Sequence, residues 1–330
     1  MKKQSAQDID LSICIVSWNV KDLLGDCLAS IRSSRPALKY EIVVVDNASR
    51  DGSGDRVAAE FPEAALVRNR VNLGFAAACN QAIRRSRGRY LLLLNPDTLI
   101  RKGALEEMVR FLDERPAAGG GGPRLIYPDG RHQPSVRGFP TFRSSLQQFT
   151  ILGDIGLFRR ARREYLEPNF PSDRASTVEQ PMGAALFLRR EALEEVGLLD
   201  EEFFLYFEEV DLCRRLDRSG RRLWYNPRAV VVHAGGGSTG QAGARALYWF
   251  FQSQFRYFGK QDGAAAAARF KLIFKPLFLA GLYWSIIRGT VSLLWAYPAH
   301  RAPGERERKR TRLQVKWRFL TGYLFDFLLL

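Results

Sequence analysis

The sequence predicts an α/β protein with a mainly parallel central sheet, followed by a basic, aromatic helical region. In the first half, short continuous apolar runs alternate with amphipathic helical patterns, which is typical of a parallel sheet covered on both faces. After residue 240 the composition becomes aromatic and strongly basic. A chain of 330 residues is long enough for one large domain and an appendage. We therefore expect one domain over residues 1–240 and a membrane-associated helical region over residues 241–330.

The elements of the first domain are predicted from hydrophobic period and from glycine and proline positions. In the first half, the predicted strands are Leu11–Ser17, Glu41–Asp46, Ala65–Arg68 and Arg89–Leu94, and the predicted helices between them are Val20–Ser33, Asp55–Phe61 and Phe75–Arg85. Later in the domain, we expect strands over Gly183–Leu188 and Arg222–Val232 and helices over Arg190–Val196 and Glu208–Arg218.

Two segments interrupt this alternation. Four consecutive glycines within Ala117–Pro123 break the rhythm before Arg124–Tyr127. From Tyr127 to Val178 the chain is irregular and rich in Pro, Arg and Phe, which predicts surface loops. The basic run Arg159–Arg163 lies in this segment, and we interpret it as a solvated loop face, with contact to a substrate phosphate or a lipid as alternatives.

The net charge of +15 is concentrated at the C-terminal end. Residues 241–330 carry 15 Lys and Arg against 4 Asp and Glu, so they account for +11 of it. A basic surface attracts polyanions, which could be a nucleic acid, an anionic bilayer or a phosphorylated substrate. Because this charge lies beside apolar aromatic residues and no nucleic-acid-binding motif is present, we expect no nucleic acid partner.

The cysteines and the N-terminus favour a reducing compartment. Cys14, Cys27, Cys79 and Cys213 are scattered without metal-type spacing, which suits free thiols. The first ten residues, MKKQSAQDID, contain two lysines but no apolar run behind them. We therefore do not expect a cleaved signal peptide.

The apolar C-terminal segment predicts helices that lie at a membrane surface. Its longest uncharged run, Pro276–Ile287, has 12 residues, fewer than the roughly 20 that span a bilayer. The segment ends in the basic stretch Arg306–Arg318, which suits anionic headgroups. The aromatic residues expected at the interface are Tyr283, Trp284, Trp295 and Tyr297. Packing against the chain's own domain, packing against a dimer partner, and a true membrane span are the alternatives.

Polar clusters at the ends of predicted strands, or before a helix, indicate a ligand site. Ligands bind at the carboxyl ends of strands in an open α/β sheet, and a helix N-terminus can face a phosphate. The clusters are Ser17-Trp18-Asn19, Asp46-Asn47-Ala48-Ser49, Asn72-Leu73-Gly74-Phe75 and Asn95-Pro96-Asp97. Each alone is typical of a turn or a helix cap. The first strand is not followed by a glycine-rich turn, which argues against a nucleotide-dependent dehydrogenase.

These clusters resemble motifs of the family 2 glycosyltransferases of the GT-A fold, and particularly of their bacterial rhamnosyltransferase-like branch. The resemblance runs from Leu11 to Tyr257, in order and with ordinary spacing. Its motifs in the first half are IVSWN, VVVDNASRDGS, NLGFAAACNQAI and LLLLNPD; in the second half they are GAALFLRREALEEVGLLDEEFFLYFEEVDLCRRL and VVHAGGGS.

The resemblance implies a site for a nucleotide-diphosphate sugar. The backbone near Val16 and Ser17 would hold the base, with Asp46 accepting a hydrogen bond from its imide N–H. Asn72 and Gly74 would shape the loop beside the diphosphate and the sugar. The nucleotide-sugar residues implied in full are Val16, Ser17, Asn19, Asp46, Asn72, Gly74, Asn95 and Asp97.

The resemblance also implies a divalent metal ion, Mg²⁺ or Mn²⁺. Asp97 is the remaining carboxylate of the family's DXD metal motif, which here is Asn-Pro-Asp. His233 matches the metal-binding histidine after the last strand. A cation held by Asp97, His233 and the diphosphate would neutralise the leaving group.

The acidic run Glu208-Glu209-Val210-Asp211 is the expected source of the catalytic base. Acidic residues in a first helical turn can simply complement the helix dipole. Inversion, however, needs a carboxylate that removes the proton of the attacking hydroxyl. The resemblance places that base at Glu209, where the family usually has Asp. Asp211 is the alternative base; its other expected role is that of a structural or acceptor-binding acid.

The resemblance further implies the substrates. Gly183, Ala184 and Glu208 would border the acceptor. The implied reaction is inverting transfer of L-rhamnose from deoxythymidine-diphosphate-β-L-rhamnose to a polyprenyl-diphosphate-linked saccharide. It would serve O-antigen or cell-envelope polysaccharide synthesis at the cytoplasmic face of the inner membrane, with the protein peripheral or monotopic. A UDP-sugar donor (GlcNAc, Gal or Glc) and a catalytically inactive nucleotide-sugar-binding scaffold are the alternatives. Assembly into a homo-oligomer stays open.

Overall fold

The computed structural model describes residues 9–235, 239–295 and 305–330. The first residues of the chain, Gly236–Ser238 of the VVHAGGGS motif, and Tyr297 lie outside these ranges. The chain divides into two compact units, Met1–Phe139 with Glu167–Gln241, and Pro140–Leu166 with Ala242–Leu330. The segment Pro140–Leu166 thus belongs to the same unit as the C-terminal residues. The expected single boundary at residue 240 does not include this segment.

The first unit contains a ten-stranded sheet and a separate pair of short strands. In chain order the strands are β1 Leu11–Ser17, β2 Tyr40–Asp46, β3 Ala64–Arg68, β4 Tyr90–Leu94, β5 Thr98–Ile100, β6 Gly120–Ile126, β7 His132–Gln133, β8 Val136–Arg137, β9 Ser176–Val178, β10 Gln180–Pro181, β11 Ala185–Arg189 and β12 Leu223–His233. The main order is β3-β2-β1-β4-β11-β6-β12-β5, with β7 beside β6 and β9 beside β12. Strands β8 and β10 form the separate pair.

Helices complete both units. Those of the first unit are α1 Lys21–Ser34, α2 Ser53–Glu60, α3 Phe75–Arg85, α4 Ala104–Asp113, α7 Arg190–Val196 and α8 Glu208–Arg218. The second unit contains α5 Phe142–Phe149, α6 Arg159–Leu166, α9 Thr239–Asp262, α10 Ala264–Trp295, α11 Glu305–Gly322 and α12 Leu324–Leu329.

The sheet is mixed but mostly parallel, as predicted. Strands β1, β2, β3 and β4 pair in parallel, and so do β6 and β12. Strand β11 pairs antiparallel with β4 and β6. All residues of β1 and β4 are buried, because helices cover both faces and leave no solvated side. The carboxyl ends of β1, β2 and β4 therefore lie at one edge of the sheet.

Three of the four glycines, Gly120–Gly122, form the start of strand β6 rather than an interruption, which corrects the sequence-based expectation. Gly120 and Gly121 lie in β6, between β11 and β12. A Cβ atom at Gly120 would lie 2.1 Å from the Phe187 carbonyl oxygen, and one at Gly121 would lie 2.4 Å from that of Trp224. Both distances are too short for any side chain, so glycine here permits close approach of neighbouring backbones.

The sequence predicted surface loops over Tyr127–Val178, and this prediction is wrong. It contains short strands and the helices α5 and α6. Helix α5 begins with a capping box in which Thr141 Oγ1 accepts from the Ser144 N–H at 3.1 Å, and Ser144 Oγ accepts from the Thr141 N–H at 2.9 Å. The basic run Arg159–Arg163 lies in α6 and not in a loop, and its Arg160 side chain is 93% exposed.

The second unit has a core made of phenylalanine rings. Phe251 is fully buried and contacts other rings at centroid distances from 4.6 to 6.4 Å. The rings around it are Phe149, Phe250, Phe255, Phe274, Phe278, Phe319 and Phe327. Edge-to-face and offset contacts of this kind stabilise beyond simple burial.

Helix α10 carries large apolar side chains on both its buried and its exposed faces, with Arg269 and Arg288 also exposed. It buries a stripe at three- and four-residue spacing, Ala267, Phe270, Phe274, Phe278, Leu282 and Ile286. Its exposed face carries Leu272, Ile273, Tyr283, Trp284, Ile287 and Val291, each between 46% and 78% exposed. Within the described residues, Ala264–Ser292 is the one helical stretch long and apolar enough to cross a membrane. Large apolar side chains on both faces of one helix are unusual at a water-exposed surface.

Candidate active site

The ends of β1 and β2 meet in register. Ser17 is the register partner of Asp46, and the Asn47 N–H donates to the Ser17 carbonyl oxygen at 2.8 Å. Asp46 is 7% exposed, and its Oδ1 accepts from the Ser49 N–H at 3.0 Å. The Ser17 hydroxyl is buried and has no hydrogen-bond partner within the described part of the chain. A buried carboxylate and an unpaired hydroxyl therefore lie side by side at this edge.

The loop after β1 is bound to the loop after β2. The Asn19 N–H donates to Ser49 Oγ at 3.0 Å, and Asn19 Oδ1 accepts from the Arg50 N–H at 2.7 Å. Asn19 has a φ of +52°, which an asparagine tolerates better than most residues. Val16 precedes this junction and is 7% exposed. Both loops are thus fixed before any ligand binds.

Asn47 belongs to a polar cluster predicted from the sequence, but no role of its own was predicted for it. Its Nδ2 donates to Asn72 Oδ1 at 2.9 Å and to the Gly74 carbonyl oxygen at 3.1 Å. Its Oδ1 accepts from Asn69 Nδ2 and from the Leu73 N–H, both at 3.0 Å. Asn47 is 2% exposed, so this buried amide determines the course of the loop before α3.

The same loop packs against the segment that leads into α8. Gly74 has a φ of +88°, and a Cβ atom there would lie 2.6 Å from the Phe204 carbonyl oxygen. That oxygen also accepts from the Phe75 N–H at 2.7 Å. A side chain at position 74 would meet both a strained backbone and a steric clash. The loop predicted to face the diphosphate is therefore adjacent to the acidic helix.

The end of β4 contacts the predicted acceptor segment. The Asn95 N–H donates to the Ala184 carbonyl oxygen at 2.9 Å. A Cβ atom at Gly183 would lie 3.3 Å from Glu209 Cγ and 3.6 Å from its Oε1. The structure thus brings Asn95, Gly183, Ala184 and Glu209 together, with no side chain at position 183 to cover the Glu209 carboxylate.

Glu208 and Glu209 form an acid pair at the first turn of α8, with Glu208 buried and Glu209 half-buried. Glu208 is 4% exposed, and its Oε2 and that of Glu209 have no hydrogen-bond partner among the described residues. Burial and the neighbouring Glu209 carboxylate raise the pKa of Glu208 well above its ordinary value. Burial also raises the pKa of Glu209, while backbone N–H groups, Arg137 and Glu208 act in the opposite direction. A carboxyl group with a raised pKa is suited to proton transfer.

The backbone before this pair is strained. Tyr206 and Phe207 have φ values of +68° and +67°, a region that bulky aromatic residues rarely occupy. Phe207 is the residue immediately before α8. Such conformations persist only where the surrounding structure holds them, and they are concentrated at functional sites.

Asp211 lies in a different environment from Glu209. It is fully buried, and its Oδ2 accepts from Arg215 Nε at 2.9 Å. The guanidinium of Arg215 also donates to the carbonyl oxygens of Val196, Gly197 and Leu198. Asp211 thus belongs to an ion pair that joins α8 to the end of α7.

Asp97 and His233 are brought together by β5 and β12. The Ala234 N–H donates to the Asp97 carbonyl oxygen at 3.0 Å. His233 Nε2 lies 3.4 Å from Asp97 Oδ1, and both residues are buried. His233 Nδ1 lies 3.0 Å from Gln133 Oε1. With that oxygen as acceptor, Nδ1 carries the ring proton and Nε2 presents its lone pair.

These two residues fit one side of a divalent metal site. His233 Nε2 is buried and has no hydrogen-bond partner within the described residues, and it points toward a carboxylate oxygen. An imidazole nitrogen with a carboxylate oxygen suits Mn²⁺, and Mg²⁺ prefers oxygen ligands. No group of three or more His, Cys, Asp or Glu side chains able to hold a metal exists among the described residues. The remaining ligands would therefore have to come from the substrate and water.

Comparison with known proteins identifies the chain. The family model of glycosyl transferase family 2 matches residues 12–170. The N-acetylglucosaminyl-diphospho-decaprenol L-rhamnosyltransferase of Mycobacterium tuberculosis (strain CDC 1551 / Oshkosh) is 30% identical over 240 residues, covering 66% of this chain and 73% of that protein. The chain belongs to glycosyl transferase family 2.

A second relative of the glycosyltransferase is the rhamnosyltransferase WbbL of Escherichia coli (strain K12). It is 26% identical over 175 residues, covering 52% of this chain and 62% of that protein. The predictions of the family and of a glycosyltransferase (hexosyltransferase) activity are confirmed.

Solved structures show the same fold. The mannosyltransferase PcManGT from Pyrobaculum calidifontis, in complex with GDP-Man and Mn²⁺, matches with a TM-score of 0.53 at 19% identity, covering 96% of this chain and 88% of that chain. S. aureus TarS matches with a TM-score of 0.52 at 13% identity, covering 97% and 54% of the two chains. The predicted GT-A fold is confirmed.

Proposed function

We propose that this glycosyltransferase transfers L-rhamnose, with inversion, from deoxythymidine-diphosphate-β-L-rhamnose to a saccharide carried on a polyprenyl diphosphate. The relative from M. tuberculosis, with its 30% identity over 240 residues, supports both substrates, because its name includes an L-rhamnosyl group and an N-acetylglucosaminyl-diphospho-decaprenol. The rhamnosyltransferase WbbL supports the sugar. The product belongs to O-antigen or another cell-envelope polysaccharide.

The observation that carries the proposal is a series of neighbouring contacts along the carboxyl edge of the sheet. Asn47, next to Asp46, contacts the Asn72–Gly74 loop, and that loop contacts Phe204, shortly before the acid pair. Gly183 lies beside Glu209, and the adjacent Ala184 pairs with Asn95, two residues before Asp97. Asp46 holds the base, and the loop of Asn72 and Gly74 faces the diphosphate. Val16, Ser17 and Asn19 complete the nucleotide side.

Glu209 is the general base of the proposed reaction. The absence of a side chain at Gly183 leaves its carboxylate accessible to the acceptor hydroxyl. The Glu209 carboxylate takes the proton as that hydroxyl attacks the anomeric carbon. Attack from the face opposite the diphosphate inverts the configuration. Asp211 has a structural role through Arg215.

Asp97 and His233 would hold a divalent cation, Mg²⁺ or Mn²⁺. When bound, such a cation neutralises the charge that develops on the departing diphosphate. Gln133 orients His233 through Nδ1, and backbone pairing between β5 and β12 keeps Asp97 beside the ring. The Mn²⁺ in the structure of PcManGT supports a metal requirement.

The second unit provides membrane association on the cytoplasmic side. The exposed face of α10 is apolar and carries Tyr283 and Trp284, which favour the bilayer interface. Phe325 of α12 is also 73% exposed. An enzyme bound to the bilayer shares that surface with a polyprenyl-linked acceptor, which raises the encounter rate.

A donor screen on detergent-purified enzyme tests the proposal. Nucleotide-diphosphate release is followed for thymidine-, uridine- and guanosine-diphosphate sugars, with and without EDTA, using a synthetic polyprenyl-diphosphate GlcNAc as acceptor. We expect turnover with deoxythymidine-diphosphate-rhamnose that needs both metal and lipid acceptor, and an α-rhamnoside product by NMR. Turnover with a UDP-sugar alone would overturn the donor assignment. Binding of a nucleotide sugar without turnover on any donor would favour the inactive nucleotide-sugar-binding scaffold.

A further inference from the structure

Strands β8 and β10 form a small antiparallel ribbon with one polar face. Gln180 of β10 lies opposite Arg137 of β8. The Met182 N–H donates to the Ser135 carbonyl oxygen at 2.8 Å, which continues the same register beyond the two short strands. Residues opposite each other in an antiparallel pair, and residues two apart along a strand, have their side chains on the same face. Ser135, Arg137, Gln180 and Met182 therefore share one face of the ribbon.

The other face of the ribbon packs against the central sheet. It carries Val136 and Pro181, which lie opposite each other and are both buried. A Cβ atom at Gly122 of β6 would lie 2.8 Å from Pro181 Cβ, so the absence of a side chain at Gly122 lets the ribbon approach β6 closely. The polar face of the ribbon is therefore turned away from the sheet.

Both ends of the ribbon adjoin groups of the proposed reaction. Gln133, two residues before Ser135, has its Oε1 3.0 Å from His233 Nδ1. A Cβ atom at Gly183, just after β10, would lie 3.3 Å from Glu209 Cγ. The ribbon thus connects the candidate metal ligand with the candidate base, and it leads directly into the residues expected to border the acceptor.

Two side chains of the polar face have buried atoms without partners. Ser135 and Gln180 are each 3% exposed, and Ser135 Oγ and Gln180 Oε1 have no hydrogen-bond partner among the residues that the structure describes. Leaving such groups buried and unpaired destabilises a folded protein, so a ligand that pairs with them accounts for their presence. An amide oxygen accepts and a hydroxyl both donates and accepts, which suits the hydroxyl groups of a sugar.

Arg137 supplies a positive charge on the same face. It is half-buried and makes no ion pair within the described residues. A guanidinium group binds a phosphate through two parallel N–H groups. Because Gln180 is the cross-strand neighbour of Arg137, a group suited to a sugar and a group suited to a phosphate stand side by side. A sugar with a phosphate on its anomeric carbon has the matching arrangement.

We propose that Ser135, Arg137 and Gln180 form a subsite for a glycosyl phosphate, in which the hydroxyl and the amide bind the acceptor sugar and the guanidinium binds the phosphate attached to it. This inference rests on the proposed function, in which the acceptor saccharide is carried on a diphosphate. Contact with these three residues holds the acceptor on the Gly183 side of Glu209. They therefore act on the affinity and choice of the acceptor, and not on the donor.

A calorimetric titration without donor tests the role of Arg137. The probes are the 1-phosphates of N-acetylglucosamine, glucose and galactose, and methyl α-N-acetylglucosaminide as a sugar without phosphate. We expect Arg137→Gln to weaken binding of the preferred sugar phosphate about 10- to 100-fold, as for loss of a charged hydrogen bond, and Arg137→Lys to restore part of it. The uncharged glycoside should bind to Arg137→Gln and to the wild type equally.

The matched control for this titration is Arg131→Gln. It removes the same charge from a side chain that is 79% exposed and pairs with Asp129, and it should leave the affinity for every probe unchanged. No binding of any sugar phosphate to the wild type, or equal binding to Arg137→Gln and to the wild type, would overturn the inference.

Ser135→Ala and Gln180→Met test the unpaired atoms through affinity and stability together. Each should weaken binding of the sugar phosphate about 3- to 10-fold, as for loss of a neutral hydrogen bond. Because the lost atoms have no partner in the described protein, the Tm should stay unchanged or rise. Gln81→Met is the comparison, since Gln81 Oε1 accepts from Asn69 Nδ2 at 2.9 Å, and it should lower the Tm without changing this affinity. A lower Tm with unchanged affinity in both Ser135→Ala and Gln180→Met would show a structural role and overturn the inference.

Kinetics with donor and acceptor varied separately distinguish this inference from the proposed function. We expect Arg137→Gln and Gln180→Met to raise the KM of a polyprenyl-diphosphate GlcNAc acceptor and to leave the KM of the donor nearly unchanged. A rise in the donor KM instead would assign these residues to the donor and overturn the inference. Loss of sugar phosphate binding in the variants, together with turnover of a donor other than deoxythymidine-diphosphate-rhamnose, would support the subsite and contradict only the donor assignment.

Discussion

The two compact units of this glycosyltransferase have cores of different kinds. The first unit has an aliphatic core, with Ile13, Val44 and Leu92 fully buried or nearly so on neighbouring strands. The second unit has a core of interlocking phenylalanine rings around Phe251. Strand pairing fixes each residue of the first core in register, whereas the ring cluster depends on the total apolar surface that helices bury.

This difference teaches where single residues matter. In the first unit the sheet places individual polar side chains at one edge, so a change of one atom there should alter chemistry. In the second unit the proposed membrane-binding face of α10 would act through its summed apolar area, so single changes there should have graded effects. The predictions below test that contrast, from the largest expected effect to the smallest.

The largest effect is expected for Glu209→Gln. It removes the proposed base while keeping the volume, and we expect kcat to fall about 10³- to 10⁴-fold, the upper range for general base catalysis. Measurement of kcat at saturating donor and of thermal unfolding checks this. The comparison variant is Asp211→Asn, which should instead destabilise the protein by about 3 kcal/mol because Arg215 loses a buried partner. If Asp211→Asn lost activity without losing stability, Asp211 would replace Glu209 as the candidate base.

The next effect is expected in the second unit. Phe251→Ala should lower the free energy of unfolding by about 3–5 kcal/mol, because it leaves a cavity among the rings. Phe325→Ala is the control, since Phe325 is 73% exposed and should change stability by less than about 0.5 kcal/mol. Chemical denaturation in detergent measures both. Equal effects of the two substitutions would contradict the description of Phe251 as the centre of this core.

A smaller effect is expected for Gln133, which orients His233. Gln133→Leu removes the acceptor for Nδ1–H and should weaken Mn²⁺ binding about 10- to 100-fold, as expected when a partner of a metal ligand is lost. Gln133→Glu keeps an acceptor and should bind Mn²⁺ at least as well as the wild type. Titration calorimetry in the presence of donor nucleotide gives both affinities, and weakening by both substitutions would argue against this orienting role.

The smallest effect is expected on the exposed face of α10. Ile287→Glu should reduce binding to anionic phospholipid vesicles roughly tenfold, since one large apolar side chain contributes about 1.5–3 kcal/mol when buried. Val71→Glu, which alters a 63% exposed side chain of the first unit, is the control and should leave vesicle binding unchanged. Co-sedimentation measures both. A complete loss of binding from Ile287→Glu alone would contradict the graded behaviour expected of this unit.

Much of the fold could be predicted from the sequence because its signals are local. The limits of Leu11–Ser17, Phe75–Arg85 and Glu208–Arg218 agree with the structure to the residue, since each has a clear hydrophobic period and clear ends. Helices α5 and α6 were missed because arginine and phenylalanine hide their period, and because the cap of α5 has Ser144 in place of an acid. Gly120 and Gly121 were misinterpreted because their role depends on distant strands.

The candidate site was predictable only in part, for the same reason. Asp46, Asp97 and His233 stand in recognisable motifs, so their positions could be expected to converge. Gln133 lies in irregular sequence, and only the pairing of β7 with β6 brings it to His233. Asp211 differs from Glu209 through its contact with Arg215, which no pattern in the sequence shows.

The buried amide of Asn47 has a consequence for how this sequence can evolve. Both of its donors and both of its acceptor positions are used by Asn69, Asn72, Leu73 and Gly74. A single base change in an asparagine codon yields Asp, His, Ile, Lys, Ser, Thr or Tyr. None of these side chains offers two donors and a doubly accepting oxygen at that reach. Any single-base change that replaces Asn47 therefore leaves part of this hydrogen-bonding set unpaired, unless residues of the loop change with it.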